Sequence, residues 1–455
     1  MSGSNQGEDG GDGGRGNWVA LVPLLLGTFT GTLANTIVNV PLSLILDDLG
    51  VPVSAGSLLV IAFTVTFAVL LPVSGWLGDR YGHRRVFAAA MALLGAASAG
   101  AALAPDLAAL AVLRAVQGAA TAAMLPTVMS LISVLFEGGR RGRALGLWAA
   151  ANGIGQAAGP TLGGGLATWF GWRSVFWPML PLGVAAAIVA LRLVPRDRPR
   201  AVPLEWRGAV LLTLAAGLGL GAASAVAPLG PGSPVVWLSA LAGVAAAGAF
   251  IAIERGRPDA FLPPRLLLET RYLRSCLTVL AQMFCLGATL LGVPLYLTTQ
   301  KHAETLMAGA LLLLLPIAMS VLAPIVGVLM ERLGARPVLR CGLLLLVAGQ
   351  SLVAAVLVGY GGGVPGLLAA MFLTGAGVAL VQTPAATGAT RSGAGRYGAG
   401  LGLFNLLRFG GSALGAAWVA AVLDAGPAFG TVFAGCAAIA ALGLLSSFAG
   451  PDPAS

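Results

Sequence analysis

Charge is what this chain has least of. Asp, Glu, Lys and Arg make up 9% of its 455 residues, where a soluble domain carries about a quarter, so these residues cannot cover a water-facing surface. Histidine occurs only at His83 and His302, and the four cysteines (Cys276, Cys285, Cys341, Cys436) have no paired spacing. That excludes a Cys/His zinc site and leaves the cysteines as small hydrophobes in helix packing. No GxxxxGK[ST] stretch is present, so ATP is not the energy source through a P-loop. GAGRYG at 393–398 fits GxGxxG but lacks the preceding strand of a dinucleotide site. No nucleophile–base set stands out. The chain reads as neither an enzyme nor a cofactor protein.

Apolar residues are abundant: 57% of the chain, with 66 glycines and a mean hydropathy of +0.90. Apolar runs recur, each long enough to cross a hydrocarbon core of ~30 Å. The small residues suit close helix approach in a membrane. The expected fold is an all-α polytopic membrane protein with fourteen spans. They lie near 18–45, 57–78, 86–104, 107–135, 144–168, 174–194, 208–228, 235–253, 273–298, 306–330, 338–358, 365–388, 398–423 and 428–449. Residues 1–17 read as a disordered cytoplasmic tail and not a cleavable signal, and 451–455 as a second short tail.

The net charge of +9 is not a nucleic-acid face, because it forms no contiguous stripe. Of 26 Lys and Arg, 21 fall in the loops 80–85, 140–143, 192–207, 255–274, 332–340 and 391–396, while the intervening loops hold only Arg173 and Lys301. This positive-inside pattern places both termini in the cytoplasm of a cell whose inner membrane holds the spans.

Four of the few charges crowd into GWLGDRYGHRRVF, residues 75–87, and the stretch recurs as GVLMERLGARPVL at 327–339. Gly75 meets Gly327, Asp79–Arg80 meets Glu331–Arg332, Gly82 meets Gly334 and Arg84 meets Arg336. Each copy follows the second span of a six-span block. The chain therefore divides into an N-terminal bundle at 18–194, a linker with two extra spans at 195–271, and a C-terminal bundle at 272–450. Parallel repeats of this kind place a substrate path at their interface near mid-membrane.

These motifs resemble the major facilitator superfamily, and more narrowly its fourteen-helix drug:proton antiporters. GWLGDRYGHRRVF is similar to the superfamily's loop signature, LRAVQGAATA (113–122) to its fourth-helix signature, and GIGQAAGPTLGGGLATWFGWRSVF (153–176) to the exporters' fifth-helix signature. VPLYLTTQ with AGALLLLLP, and GLFNLLRFGGSALG (402–415), are similar to the ninth, tenth and thirteenth helices. The resemblance implies alternating-access export of a small molecule, as a monomer, with protons as the second partner.

The residues suggest roles. Asp79 can pair with basic groups and meet the positive end of a neighbouring helix. Asp79, Arg80, Arg84, Glu331 and Arg332 then form a conformational latch, with Glu137 as partner of Arg84; the alternative is that the loops only set topology. Gly155, Gly159 and Gly163 with Pro160 give the fifth span a bare, bent face, suited to a seam between halves or to ordinary tight packing. Arg114 in mid-span is costly, by at least ~2.5 kcal/mol, and marks function by default. Gln117 follows it, and Arg408 with Asn405 is a second such case that can also snorkel. Asn35, Asn39, Asn152, Gln156 and Gln382 complete the expected substrate-binding polar set, with Trp148, Phe284 and Tyr296 as aromatic faces. Asn35 and Asn39 can equally be helix–helix glue. Asp47 and Asp48 are expected in solvent.

One departure matters. The resemblance implies an aspartate before the TIVNV run, yet Ala34 stands there in LANTIVNV, and Phe63 replaces a common tyrosine. No other Asp or Glu lies deep in a span. Arg114 then lacks its acid, and an anionic substrate is one candidate to compensate it, beside cavity water and amides such as Asn35. The reading is an exporter of drug-like or self-made metabolites. Its rivals are uptake or facilitated transport of an anion, and a transport-dead sensor or scaffold.

Overall fold

The computed structural model describes residues 12–38, 40–51, 56–197, 206–230, 232–255, 257, 261–301, 311–360, 362–424, 426 and 428–450. Among them are fourteen long helices. The first six are α1 (Asp12–Thr36), α2 (Gly56–Tyr81), α3 (His83–Ala102), α4 (Leu107–Leu135), α5 (Gly138–Phe170) and α6 (Met179–Leu193). Two follow in the linker, α7 (Trp206–Leu229) and α8 (Pro234–Glu254). The last six are α9 (Thr270–Thr299), α10 (Leu314–Leu333), α11 (Ala335–Val358), α12 (Gly363–Arg391), α13 (Gly398–Asp424) and α14 (Phe429–Ser446). Thirteen spans are long and apolar enough to cross a membrane. The exception is α5, which opens on Arg140, Arg141 and Arg143 and carries Asn152 and Gln156.

Two expectations need correction. The first span does not run to residue 45: α1 ends at Thr36, and a separate short helix spans Leu42–Asp48 behind Pro41. Proline disfavours the helical region for the residue before it, so the chain turns there. Nor is the whole of 1–17 a tail without structure, because α1 already starts at Asp12.

The two blocks of six pack alike. In the first, α2 lies on α4, α3 on α4 and α6, and α1 on α5 and α6; in the second, α10 lies on α12, α11 on α12 and α14, and α9 on α13 and α14. The blocks meet through the same pair twice, α5 against α10 and α13 against α2. The helices α7 and α8 pack together, and α7 leans on α2 and α13. The repeated loops also share backbone geometry. Gly82 and Gly334, at matching places, both hold positive φ, +92° and +84°, where a side chain would be strained.

Candidate functional site

Each repeated loop places a carboxylate across the halves on the basic face, one on a backbone N–H and one on an arginine. At the end of α2, the Asp79 carboxylate accepts a hydrogen bond from the backbone N–H of Gly398 at 2.6 Å. Gly398 is the first residue of α13, so a buried carboxylate sits on the positive end of a helix from the other half. At the end of α10, Glu331 accepts from Nε of Arg143 at 2.7 Å and also from its Nη2, near the start of α5. A Cβ on Gly75 would run into the carbonyl of Gly398, and one on Gly327 into the backbone of Arg143. Glycine at both positions lets the helices cross at backbone contact. Arg391 adds a third bond across the halves, from Nη2 to the carbonyl of Gly138 at 2.7 Å.

The loop arginines act within their own halves. Arg84 donates to the carbonyl of Leu191 near the end of α6, and its backbone N–H to Asp197 at 3.3 Å. Its counterpart Arg336 donates to the carbonyls of Ser447, Ala449 and Gly450 at 3.0, 2.9 and 2.6 Å, just past α14. Each cation therefore meets the negative end of its half's last helix. The expected pairing of Arg84 with Glu137 is not formed: the guanidinium is committed to α6, and Glu137 is exposed at the cap of α5. Arg80 and Arg332 are exposed. His83 lies against Asp79, Nε2 to Oδ1 at 3.4 Å.

The glycine stripe of α5 also needs correction. Cβ atoms on Gly155, Gly159 and Gly163 would meet Phe29, Thr32, Thr36 and Ile37 of α1 and the turn after it. That contact lies inside the first half. The seam between halves instead runs along Gly142, Gly146 and Gly153, which face α10 from Met330 to Met319. Both faces of α5 are bare: the periodicity shows the stripe, but not which stripe meets which neighbour. Pro160 lies within α5 along the part packed on α1.

Two arginines are buried at membrane depth, and their surroundings differ. Arg114 is 1% exposed. Its Nη1 donates to the carbonyl of Ala34 at 2.7 Å and to Oε1 of Gln117 at 2.9 Å, and Nε to the carbonyl of Leu59 at 3.4 Å. The guanidinium lies 4.5 Å from the Phe63 ring centroid, a favourable cation–π distance. Gln117 is held in turn by Ser98, at 2.9 Å. The residue that lacks the expected acid thus supplies a backbone acceptor, and Phe63 supplies a ring face.

Arg408 is 0% exposed. Its Nη2 donates to Oδ1 of Asn152 at 2.9 Å, across the halves. Asn152 also accepts from Gln156 at 3.3 Å and donates to Thr32 at 3.1 Å. The guanidinium carbon lies 5.3 Å from the Trp148 ring centroid and 4.9 Å from that of Phe409. Nε and Nη1 of Arg408, and Nε1 of Trp148, have no partner. Among the described residues no carboxylate pairs with either buried arginine. A small cavity lies beside this cluster, walled in part by Asn35, Phe63, Phe67, Asn152, Gln156 and Phe409.

The remaining expected residues scatter. Asn405 is buried; its amide N–H donates to the carbonyl of Leu401 at 3.0 Å, and its oxygen is unpartnered. Gln382 is buried with neither amide atom partnered. Phe284 packs in the core of the second half. Tyr296 lies near the opposite face against Phe429, in a separate depression with Gln300 and Lys301. Asn39 and His302 fall outside the described residues. Asp48 is exposed yet bonded, accepting from the indole of Trp172 at 2.9 Å and from Arg173 at 2.7 Å. Those bonds hold its carboxyl below the usual carboxylate range. Sequence reasoning missed Arg143, Asp197 and Thr32. The repeat could have flagged the start of α5, since a repeat that sets Asp79 on α13 also sets Glu331 on α5.

Known proteins agree with this architecture. Multidrug resistance protein Stp of Mycobacterium tuberculosis is 30% identical over 89% of this chain and 77% of its own length. The tetracenomycin C resistance and export protein of Streptomyces glaucescens is 30% identical over 73% of this chain and 62% of its own length. The crystal structure of the human organic anion transporter MFSD10 superposes with a TM-score of 0.71, covering 95% of this chain and 99% of that one at 17% identity, a likeness of fold alone. The match to the Major Facilitator Superfamily spans residues 24–209 and 275–455, the two blocks whose packing repeats. With thirteen helices among the described residues long and apolar enough to cross a membrane and its charged loop built twice, the chain belongs to that superfamily.

Proposed function

We propose that this chain is an inner-membrane exporter of drug-like or secondary-metabolite small molecules, working as a monomer by alternating access. The basic face, with both termini, is then cytoplasmic, and the halves that rock are 18–194 and 272–450, with 195–271 an insert. The observation that carries the reading is the paired closure of one face by Asp79 on α13 and Glu331 on Arg143. Contacts that span the halves and rest on a helix end are specific to one arrangement of the halves, so breaking them shifts populations. A scaffold has no use for them. The names of the two relatives, one a multidrug resistance protein and one a resistance and export protein, support the outward direction. The substrate-facing set is Asn35, Asn152 and Gln156 on the cavity wall, Arg408 behind Asn152, and Gln382 and Asn405 on the second half.

Proton antiport is the coupling the resemblance implies, and it lacks an obvious carrier. The position of the first-helix acid is Ala34, whose carbonyl serves Arg114. The buried carboxylates among the described residues are Asp79 and Glu254, both at helix ends. Expression in a strain stripped of its own efflux pumps, grown against a drug panel, tests export. Raised resistance with faster efflux, reduced in Asp79→Asn, is expected. No resistance to any compound, with no flux in proteoliposomes, contradicts it.

A further inference from the structure

Burying a cation without a partner is costly, and the cost falls only when hydrogen bonds and opposite charge replace water. The two buried arginines meet that demand unequally. Arg114 has two carbonyls, an amide oxygen and a ring face. Arg408 has one amide oxygen, and two of its donor nitrogens, Nε and Nη1, with three N–H groups between them, are left over. A third unpartnered donor, the indole N–H of Trp148, belongs to the ring 5.3 Å from the same guanidinium. Donors outnumber acceptors at this point between the halves. The nearby amide of Asn405 offers one free oxygen, but the described geometry does not bring it to the guanidinium.

The cavity lies one residue away from this point, with Arg408 and Trp148 behind its wall. Two of its wall residues touch Arg408 directly: Asn152 accepts from Nη2, and the ring of Phe409 lies under the guanidinium. The rest of the wall mixes aromatic and amide side chains, from Phe63, Phe67, Asn35 and Gln156, with threonine and aliphatic ones. With the basic face closed the space is about that of a single water, so a ligand enters only as the halves part, and one that suits both parts has an aromatic body for the rings and an acidic group for the donors. Arginine binds carboxylate, sulfonate or phosphate through paired N–H groups, the strong class of hydrogen bond. A cationic drug brings the wrong sign to a guanidinium with no acid beside it.

We propose that Arg408, assisted by the indole N–H of Trp148, is the docking point for the acidic group of the exported molecule, an aromatic organic anion. Arg114 is instead a fixed tie between α4, α1 and α2. The proposal rests on the exporter reading, and the likeness to an organic anion transporter, being one of fold alone, lends it nothing.

The experiment uses the full chain in detergent and matched probes: 1-naphthoate with its methyl ester, and 1-naphthalenesulfonate with its sulfonamide. Thermal protection is measured against concentration. The acids should protect at concentrations at least about tenfold lower than their neutral counterparts, the scale of a charge-assisted bond. Arg408→Gln should erase that difference, Arg408→Lys should restore part of it, and Arg114→Gln should keep it while lowering the melting temperature without ligand. Trp148→Phe keeps the ring and removes the N–H, so it should weaken the acids alone. It also decides the matter if Arg408→Gln does not fold. Equal protection by acids and neutral forms in the wild type overturns the proposal, as does a difference that survives both Arg408→Gln and Trp148→Phe. Extrusion of neutral or cationic drugs by cells, without acid preference, would sink the anion and leave the exporter standing.

Discussion

At the scale of single residues, the acids and the arginines of the repeated loop do different work. Asp79 and Glu331 reach across the halves, while Arg84 and Arg336 cap the last helix of their own half. Asp79→Asn should weaken the closed face by about 1 kcal/mol, the size of a charge at a helix end, which is about a fivefold change in the population ratio. Transport should fall with insertion intact, as flux per inserted molecule in proteoliposomes will show. Arg84→Ala should instead lower the melting temperature and leave the conformational ratio unchanged. On the opposite face, the carboxyl of Asp48 is held low by Trp172 and Arg173. A lowered value means that its contribution is whole above the ordinary value of 3.8 and fades as pH falls through the lowered one. The gap in melting temperature between wild type and Asp48→Asn should be constant from neutral pH down to about 5 and close only in stronger acid, below the carboxylate range. The sequence made Arg114 and Arg408 conspicuous, because charge in a span is rare. It did not separate them, because the partners of Arg114 are backbone carbonyls at Ala34 and Leu59, which no side-chain motif announces.

Among elements, α5 decides how the halves meet, and it has two glycine faces. Gly142, Gly146 and Gly153 lie on α10, while Gly155, Gly159 and Gly163 lie on α1. Gly327→Leu should hold the α5–α10 crossing apart, since the added side chain meets the backbone of Arg143. Transport should stop while the separate halves remain folded. Gly159→Leu should act differently, loosening α1 from α5 within one half and reducing yield and melting temperature. Cysteine accessibility on the basic face distinguishes them: raised in Gly327→Leu, unchanged in whatever Gly159→Leu protein survives. Helix number and placement were legible because apolar runs and basic loops alternate. The first span was read too long, since the run to residue 45 stays apolar through the turn at Pro41. Facing directions were not legible, since glycines every few residues give α5 more than one bare stripe.

Over the whole molecule, export of an anion has a consequence for the energy source. If the exported molecule is an anion, each turnover carries one negative charge outward, and a cell-negative potential drives it by ~2.3 kcal/mol per 100 mV. Uptake of 1-naphthoate into proteoliposomes should then follow a potassium diffusion potential and reverse with its sign, and a pH gradient at zero potential should leave it unchanged. A flux that follows the pH gradient and ignores the potential would assign proton carriage to a buried acid at a helix end, Asp79 or Glu254. If Asp79 and Glu331 hold the basic face closed, their contacts open and close as the halves rock. Spin labels at Arg80→Cys and Arg332→Cys test it most directly. Both positions are exposed and belong to opposite halves, and the exposed native Cys341 is replaced by serine in the same chain. The account expects one short distance between the labels as the main population, and a second, longer one that grows when Asp79→Asn and Glu331→Gln are added together. A single distance, unmoved by both substitutions, would contradict it.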